Sequence, residues 1–393
     1  MPLLQSGKVR LCVLTLGHAF VDCYGGFLAP LLPALARHLN VDLATLAILS
    51  GFVGLLVNGI QPLAGHLIAR QKFPIFLIGG PLLATVITLM GLTHSFAIFA
   101  ALCFVSCVGI GIYHPEALLV AHDVSGDHEH IGVPFFLSGG FFGFSVAGVA
   151  ATQWVAHFGF EGIWLLAIPG LLITLFIYLS GLPRLALHPS VHSEEENSAS
   201  RFGFGPLLVM SCLLTSSVSI LFTFLNAHLE ALYGVAGFKA GGMALFLMGM
   251  TGALSSYGWG WLSRRFSRFG LLAAGQAAAL PLYLLLIRSA SPRQAIFWSI
   301  PTGVFIGSAV FPLVATAARQ SRGLTPGLRA GLVVGGAWGF GALMTIFAGY
   351  ANKFGATVPQ ILNAGAGFIP LTIIVSLVMA RQEARSVRSM PPP

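Results

Sequence analysis

Charge is what this chain has least of. Only 8% of its 393 residues are charged and 56% are hydrophobic. A soluble domain carries about 25% charged residues, so there are too few here to cover a water-facing surface. The mean hydropathy of +0.87 agrees, and the chain reads as an integral membrane protein. Other absences narrow its function. There is no phosphate-binding glycine loop, no nucleotide-binding domain and no nucleophile elbow, which leaves ATP-driven transport without a motor. A membrane-embedded hydrolase lacks a nucleophile and base at paired spacing. A sensor lacks a soluble domain to carry its output. The five cysteines (Cys12, Cys23, Cys103, Cys107, Cys212) all lie in apolar runs and read as small helix-packing residues, not a disulfide framework. The net charge of +8 sits in short clusters between apolar runs, as topology signals do, so nucleic acid is not an expected partner. Lys8 and Arg10 precede an apolar run with no obvious cleavage site, which is read as a retained first helix.

A spanning helix needs about 20 apolar residues. Twelve runs meet that need: 11–36, 45–69, 74–92, 96–120, 132–156, 163–181, 205–232, 240–262, 269–288, 294–318, 330–352 and 358–380. The polar stretch "PRLALHPSVHSEEENSASRFG" (183–203) parts the sixth from the seventh. The expected organisation is an N-terminal six-helix bundle at 1–182, a cytoplasmic linker at 183–204 and a C-terminal six-helix bundle with a short tail at 205–393. With the N-terminus inside, fifteen of the Lys and Arg residues fall on the cytoplasmic side and five on the other. This predicts a multi-pass protein of the cytoplasmic membrane with both termini in the cytoplasm.

An internal repeat runs through the chain. "GGFFGF" (139–144) matches "GGAWGF" (335–340) at an offset of 196, and "GHLIAR" (65–70) matches "GWLSRR" (260–265) at 195. "FLAPLLPAL" (27–35) and "FLNAHLEAL" (224–232), like Pro115 and Pro312, are 197 apart. Two six-helix halves in parallel orientation are the arrangement of the major facilitator fold. The ionisable groups are not duplicated. Asp22 faces Ser219 across the repeat, His18 faces Thr215, His114 faces Phe311 and Glu116 faces Leu313. The chemistry is therefore expected in the N-terminal half.

Asp22 and Glu116 are the only acids well inside apolar runs. A charge at mid-membrane costs on the order of 3 kcal/mol on insertion scales, so such groups normally face a bundle interior or a wet cavity. They are the expected proton carriers, the bland alternative being neutral acids that tie helices together. His18 and Asp22 are four apart and share a helix face, which Gly25 and Ala29 continue. His18 and His114 lie at matched depth, so they meet if their helices are neighbours. Together with Tyr24, Gln61 and Asn226 they are expected to line a substrate or coupling cavity. Pro115 removes a backbone donor and weakens the helix at Gly111, with Gly109 and Gly111 loosening the same turn. An ideal helix points His114 and Glu116 about 200° apart, so either a kink brings them together or Glu116 contacts another helix. Gly65, Arg70, Gly260, Arg264 and Arg265 mark equivalent conformational loops in the two halves. Gly139 with Gly143, and Gly335 with Gly339, permit close helix approach. Asn226, His228 and Glu230 fall near the outer end of the seventh helix, at a gate or in the headgroup region. The segment "HDVSGDHEHIG" (122–132) reads as a solvated cytoplasmic loop without a recognised metal-ligand spacing. No cofactor and no resident metal are expected.

"GHAFVDCYGGFLAPLLPAL" (17–35), "IQPLAGHLIAR" (60–70) and "GIGIYHPEALLVAHDVSG" (109–126) resemble the fosmidomycin-resistance group of major facilitator transporters. The shared pattern is His18 and Asp22 in the first helix, Gln61 and Pro62 near the end of the second, and His114, Pro115 and Glu116 in the fourth. The resemblance implies twelve helices, a central cavity and proton-driven drug export by an antiporter. Three departures are plain. Ala69 stands where the superfamily usually has an aspartate before its arginine. Phe141 and Phe142 follow Gly139 and Gly140 where the group has asparagine, and Val149 follows Gly148 where it has proline. The acidic "GDHEH" replaces a usually basic loop. The expected function is a monomeric, non-enzymatic secondary transporter exporting a small molecule against protons. The alternative is proton- or metal-coupled uptake of a small solute or divalent cation. The lack of a mid-depth Lys or Arg favours neutral, lipophilic or cationic substrates.

Overall fold

The computed structural model describes residues 6–68, 70–187, 202–306, 321–322, 329 and 331–388. Most of the expected linker, the second half of the tenth apolar run and the repeat partners Phe311, Pro312 and Leu313 lie outside these residues, as does Ala69. The architecture is all-helical. The helices are α1 Gly7–Gly25, α2 Leu28–Leu39, α3 Leu43–Ile68, α4 Phe76–Thr85, α5 Phe96–Ser125, α6 Glu129–Phe158, α7 Ala167–Leu179, α8 Phe204–Leu262, α9 Arg268–Ile287, α10 Pro292–Ile306, α11 Ala337–Lys353, α12 Val358–Ala366 and α13 Phe368–Arg388. A two-residue pairing of Phe202–Gly203 with Ser321–Arg322 is the only sheet among the described residues.

Among the described residues, eight helical stretches are long and apolar enough to cross a membrane. One of them, α8, has 59 residues, about 88 Å at 1.5 Å per residue, against a hydrocarbon core of about 30 Å. It folds into two spans at Gly234, whose φ of 59° and ψ of −140° are open to glycine and not to an ordinary L residue. The shorter apolar helix Phe76–Leu92, α10 and α11 bring the spans to the twelve that the fold requires.

Two expectations about local structure are corrected. The first apolar run is not one helix. It breaks between Gly25 and Leu28, so Ala29 does not continue the face of His18 and Asp22. Pro30 has no amide to donate back to Gly26, and Gly26 sits so close to Ala147 and Phe144 of α6 that a side chain there has no room. The segment 122–132 is not a loop either. α5 runs on to Ser125, a 3-10 turn covers Gly126–His128, and α6 begins at Glu129. Here His122 Nδ1 and Glu129 Oε1 pair at 2.7 Å.

The core follows the two halves. One apolar cluster draws on the N-terminal helices and takes in Phe238. A second draws on α8–α13 and takes in Ala47, and a third gathers Phe204, Leu207, Met210, Leu214, Phe269 and Met379. The halves touch through small residues. Gly51 and Gly54 of α3 meet Ala342 and Ile346 of α11, Gly349 meets Ile48, and Gly148 of α6 meets Gly242 and Leu245 of α8. All these contacts fall in the halves of their helices remote from the chain termini. There Arg37 Nη1 also pairs with Glu230 Oε1 at 2.8 Å, and the Asn226 amide donates to the Pro30 carbonyl. Near the termini the helices part. A Cβ built on Gly59, Gly65, Gly258 or Gly260 meets nothing within 4 Å. Among the described residues, the halves thus meet at the far end and part toward the end that carries the termini.

Candidate functional site

α1 enters at the terminal end and places His18 eleven residues, and Asp22 fifteen residues, beyond Gly7. α5 runs the opposite way, and His114 lies eleven residues before its end at Ser125. Eleven residues of helix span about 16 Å. The two histidines therefore sit at the same level, roughly half-way through a hydrocarbon layer of about 30 Å. α1 packs on α4, α5, α6 and α7. On the part of α1 these helices leave uncovered, the Asp22 side chain stays partly exposed.

Three side chains converge there. His114 Nε2 lies 2.9 Å from Asp22 Oδ1, and His18 Nε2 lies 3.4 Å from Asp22 Oδ2. The imidazole centroids are 5.1 Å apart and nearly perpendicular. Each ring is anchored at its other nitrogen. His18 Nδ1 is 3.0 Å from the Phe136 carbonyl oxygen, and His114 Nδ1 is 2.7 Å from that of Ile110. A carbonyl oxygen only accepts, so Nδ1 carries the hydrogen on both rings. The Phe136 ring stacks on His18 at 4.4 Å and 21°. Gly140, four residues along the same face of α6, leaves the room the cluster occupies: a Cβ there would stand 2.5 Å from both Asp22 Oδ2 and His18 Nε2. His18 is buried, while the side chains of Asp22 and His114 are 20% and 23% exposed.

The donor count has a consequence. With Nδ1–H fixed, the Nε2 of a neutral ring is an acceptor. It then faces a carboxylate, which also only accepts. Two acceptors 2.9 Å apart repel unless a cation sits between them. One proton, on His114 Nε2 or on Asp22, turns that contact into a hydrogen bond, charge-assisted when His114 carries the proton, and brings the triad to net charge zero. Without it the triad carries one negative charge and two unfavourable contacts.

The other expected site residues are placed elsewhere. Glu116 is fully buried and turned away from the triad. Its Oε2 accepts the Leu77 amide at 2.7 Å, which caps the N-terminus of α4, and its Oε1 makes no hydrogen bond among the described residues. This settles how residues two apart on α5 are used: His114 faces α1 and Glu116 faces α4. α5 stays helical through Pro115. Gly109 and Gly111 serve close packing, against Gly80, Leu83 and Ala84 of α4 and against Ile60 of α3. Tyr24, two residues from Asp22, also points the other way and donates to the Leu166 carbonyl at 2.8 Å. Asn226 is buried at the far-end contact with Pro30. Gln61 is half-buried on α3. Arg70, Arg264 and Arg265 are exposed in the turns after α3 and α8, at the terminal end with Gly65 and Gly260, and Arg265 lies over the Trp261 ring at 5.1 Å.

Sequence reasoning missed Phe136 and Gly140. Phe136 acts through its backbone carbonyl, which no side chain announces. Gly140 stood in the sequence beside Gly139, whose spacing to Gly143 drew the notice.

Residues 14–320 match the Major Facilitator Superfamily. The chain belongs to that superfamily. It is 22% identical over 399 residues to YfnC of Bacillus subtilis (strain 168), described as an uncharacterized MFS-type transporter, with 96% of this chain and 95% of the relative covered. Its fold resembles that of a bacterial homolog of the human lysosomal transporter Spinster, inward-facing and unoccupied, at a TM-score of 0.78 and 14% identity over 98% of this chain and 99% of the other. The nucleoside transporter NupG superposes at 0.71 with 13% identity, covering 95% and 98% of the two chains. A peptide transporter bound to alafosfalin gives 0.71 and 14% over 97% and 96%. At such identities these likenesses establish the fold alone. As a major facilitator protein the chain is a membrane transporter and not an enzyme.

Proposed function

We propose that this transporter couples export of a small molecule to the inward flow of protons, with Asp22 and His114 holding the coupling proton and His18 orienting them. One observation carries the reading: a carboxylate set between two imidazoles whose Nδ1 atoms are already committed to carbonyl oxygens, so that each Nε2 contact calls for a cation. Asp22 and His114 are partly exposed, and the far end is closed by small-residue contacts. Alternating access would close the terminal end around the triad and open the far end. With the termini in the cytoplasm, as the arginine distribution implies, the state seen here faces inward and the protein resides in the cytoplasmic membrane. Resemblance to the fosmidomycin-resistance group supports drug efflux, with the chain acting as a monomer. We assign coupling to Asp22 and not to Glu116, whose contact is that of a helix cap. The absence of Lys and Arg at mid-depth favours a neutral, lipophilic or cationic substrate. The test is uphill flux in proteoliposomes under an imposed pH gradient, after a substrate panel in cells lacking their main efflux pumps has named a substrate. Asp22→Asn protein that is folded and inserted should carry substrate only downhill. Unchanged uphill flux in that variant rejects the assignment.

A further inference from the structure

The same lone pairs that call for a proton also describe a metal site. We infer that His18 Nε2, Asp22 and His114 Nε2 form a binding site for a divalent late first-row cation of the Zn²⁺ class. The inference concerns which cation the triad holds and needs no assumption about coupling or direction of transport.

Four observations carry it. The ligand atoms of the three residues all lie within 4.8 Å of one another. Ligands at about 2.0–2.2 Å from a zinc-class ion stand about 3.4 Å apart at the tetrahedral angle and about 3.0 Å apart at a right angle. His114 Nε2 lies 2.9 Å from Asp22 Oδ1 and His18 Nε2 3.4 Å from Asp22 Oδ2, so rotation of the side chains toward a common point brings the three groups to ligand spacing. Both imidazoles are preset as ligands. Each gives its Nδ1–H to a backbone carbonyl, Phe136 for His18 and Ile110 for His114, which is the outer-shell arrangement that fixes tautomer and ring direction at metal centres. Finally, Asp22 and His114 are partly exposed, which leaves a face of the ion free for water or a substrate donor.

The donor set selects the ion. Two imidazole nitrogens and one carboxylate suit zinc, cobalt, nickel or iron(II). Magnesium and calcium prefer oxygen ligands throughout. The wall of Phe136 and the low polarity around α1 and α6 strengthen any bond to the ion by excluding water.

Cobalt(II) is the probe, because its visible absorption reports nitrogen and oxygen ligation directly. The full chain, purified in detergent, freed of any histidine tag and stripped with chelator, is titrated with Co²⁺. The inference expects a saturable band at one ion per chain that Zn²⁺ displaces. His18→Ala and His114→Ala should each weaken binding at least about tenfold, the lower bound for loss of an outer-shell partner. His114→Gln, which keeps bulk and polarity without a ring nitrogen, should do the same if the alanine variant folds poorly. A variant with His122, His128 and His130 all replaced by alanine should keep the band, since those residues lie at the α5–α6 turn. No saturable band, a band that survives in the His18→Ala/His114→Ala double variant, or one lost with the turn variant overturns the inference. Proton-driven flux is measured separately in chelator-treated vesicles, so metal binding and proton coupling fail independently.

Discussion

Glu116 gives the sharpest contrast between holding a helix and carrying a proton. It is fully buried, and its oxygen accepts the first-turn amide of Leu77 at 2.7 Å. Glu116→Ala leaves that donor unpaired, which costs about 1–3 kcal/mol. It also removes four heavy atoms from a packed site. A residual void of roughly 50 Å³ adds on the order of 1 kcal/mol at 24 cal/mol per Å³. The sum is about 2–4 kcal/mol. At about 2.1 cal/mol/K per residue, a half-molecule that melts as a unit should lose roughly 5–10 °C in Tm. Glu116→Gln keeps a carbonyl oxygen facing Leu77 and nearly the same volume, so its loss should be less than half of that. The assay is thermal unfolding of the detergent-purified chain, followed by gradient-driven flux in proteoliposomes at equal amounts of folded protein. Glu116→Gln should still pump uphill. If Glu116→Gln melts like the parent yet no longer couples flux to the gradient, Glu116 is a carrier and the capping argument is wrong.

Further outcomes follow from the packing. Gly143→Ala drives a Cβ into the backbone of Ala19, where nothing flexible can yield. It should cost about 1–3 kcal/mol, measurable as a lower Tm, while Gly65→Ala, which faces open space, should change Tm little. Arg37→Ala removes the pair with Glu230 across the closed end. With the Arg37 side chain 63% exposed the pair contributes about 0.2–1 kcal/mol. Distances between spin labels at positions 158 and 354 should accordingly shift toward opening by about 1.5- to 5-fold in population, and an unchanged distribution in Glu230→Lys would show that the pair is not part of the closure. Asp42, just outside the membrane-spanning helices, accepts from the Thr45 amide at 2.7 Å. That hydrogen bond holds its carboxyl below the usual carboxylate range. A depressed folded value stabilises above the unfolded pKa of about 4 and is lost as pH falls through the folded value. Asp42→Asn should therefore lower Tm by a constant amount near pH 7 and flatten its fall below about pH 4, so that variant and parent converge in acid.

Much of this was legible in the sequence because bilayers impose simple rules. Apolar length gave the spans. Counting residues from helix ends put His18 and His114 at one level, and both helices lengthened by similar amounts without disturbing the match. Partners that were backbone atoms were not legible. Glu116, Tyr24 and Asn226 all stand as polar residues in apolar runs, which suggested a proton carrier in the first and a cavity lining in the other two. Each instead meets a main-chain amide or carbonyl in another helix, and every residue type supplies those. The break at Gly26 was hidden for a related reason: the apolar run continues across it, and hydropathy does not register a change of axis. The long α5–α6 pair was hidden by the opposite bias, since acidic and histidine residues continue a helix beyond the membrane as readily as they form a loop.

The central claim is that both rings carry hydrogen on Nδ1 and that a proton lies between His114 Nε2 and Asp22. Nitrogen-15 NMR of histidine-labelled protein in metal-free buffer reads this directly, with the two residues assigned by their loss in His18→Gln and His114→Gln. The account predicts protonated Nδ1 on both rings, and a His114 Nε2 that is protonated or hydrogen-bonded in the parent and becomes a neutral acceptor in Asp22→Asn. A bare Nδ1 on either ring, or a His114 Nε2 signal that Asp22→Asn leaves unchanged, contradicts it.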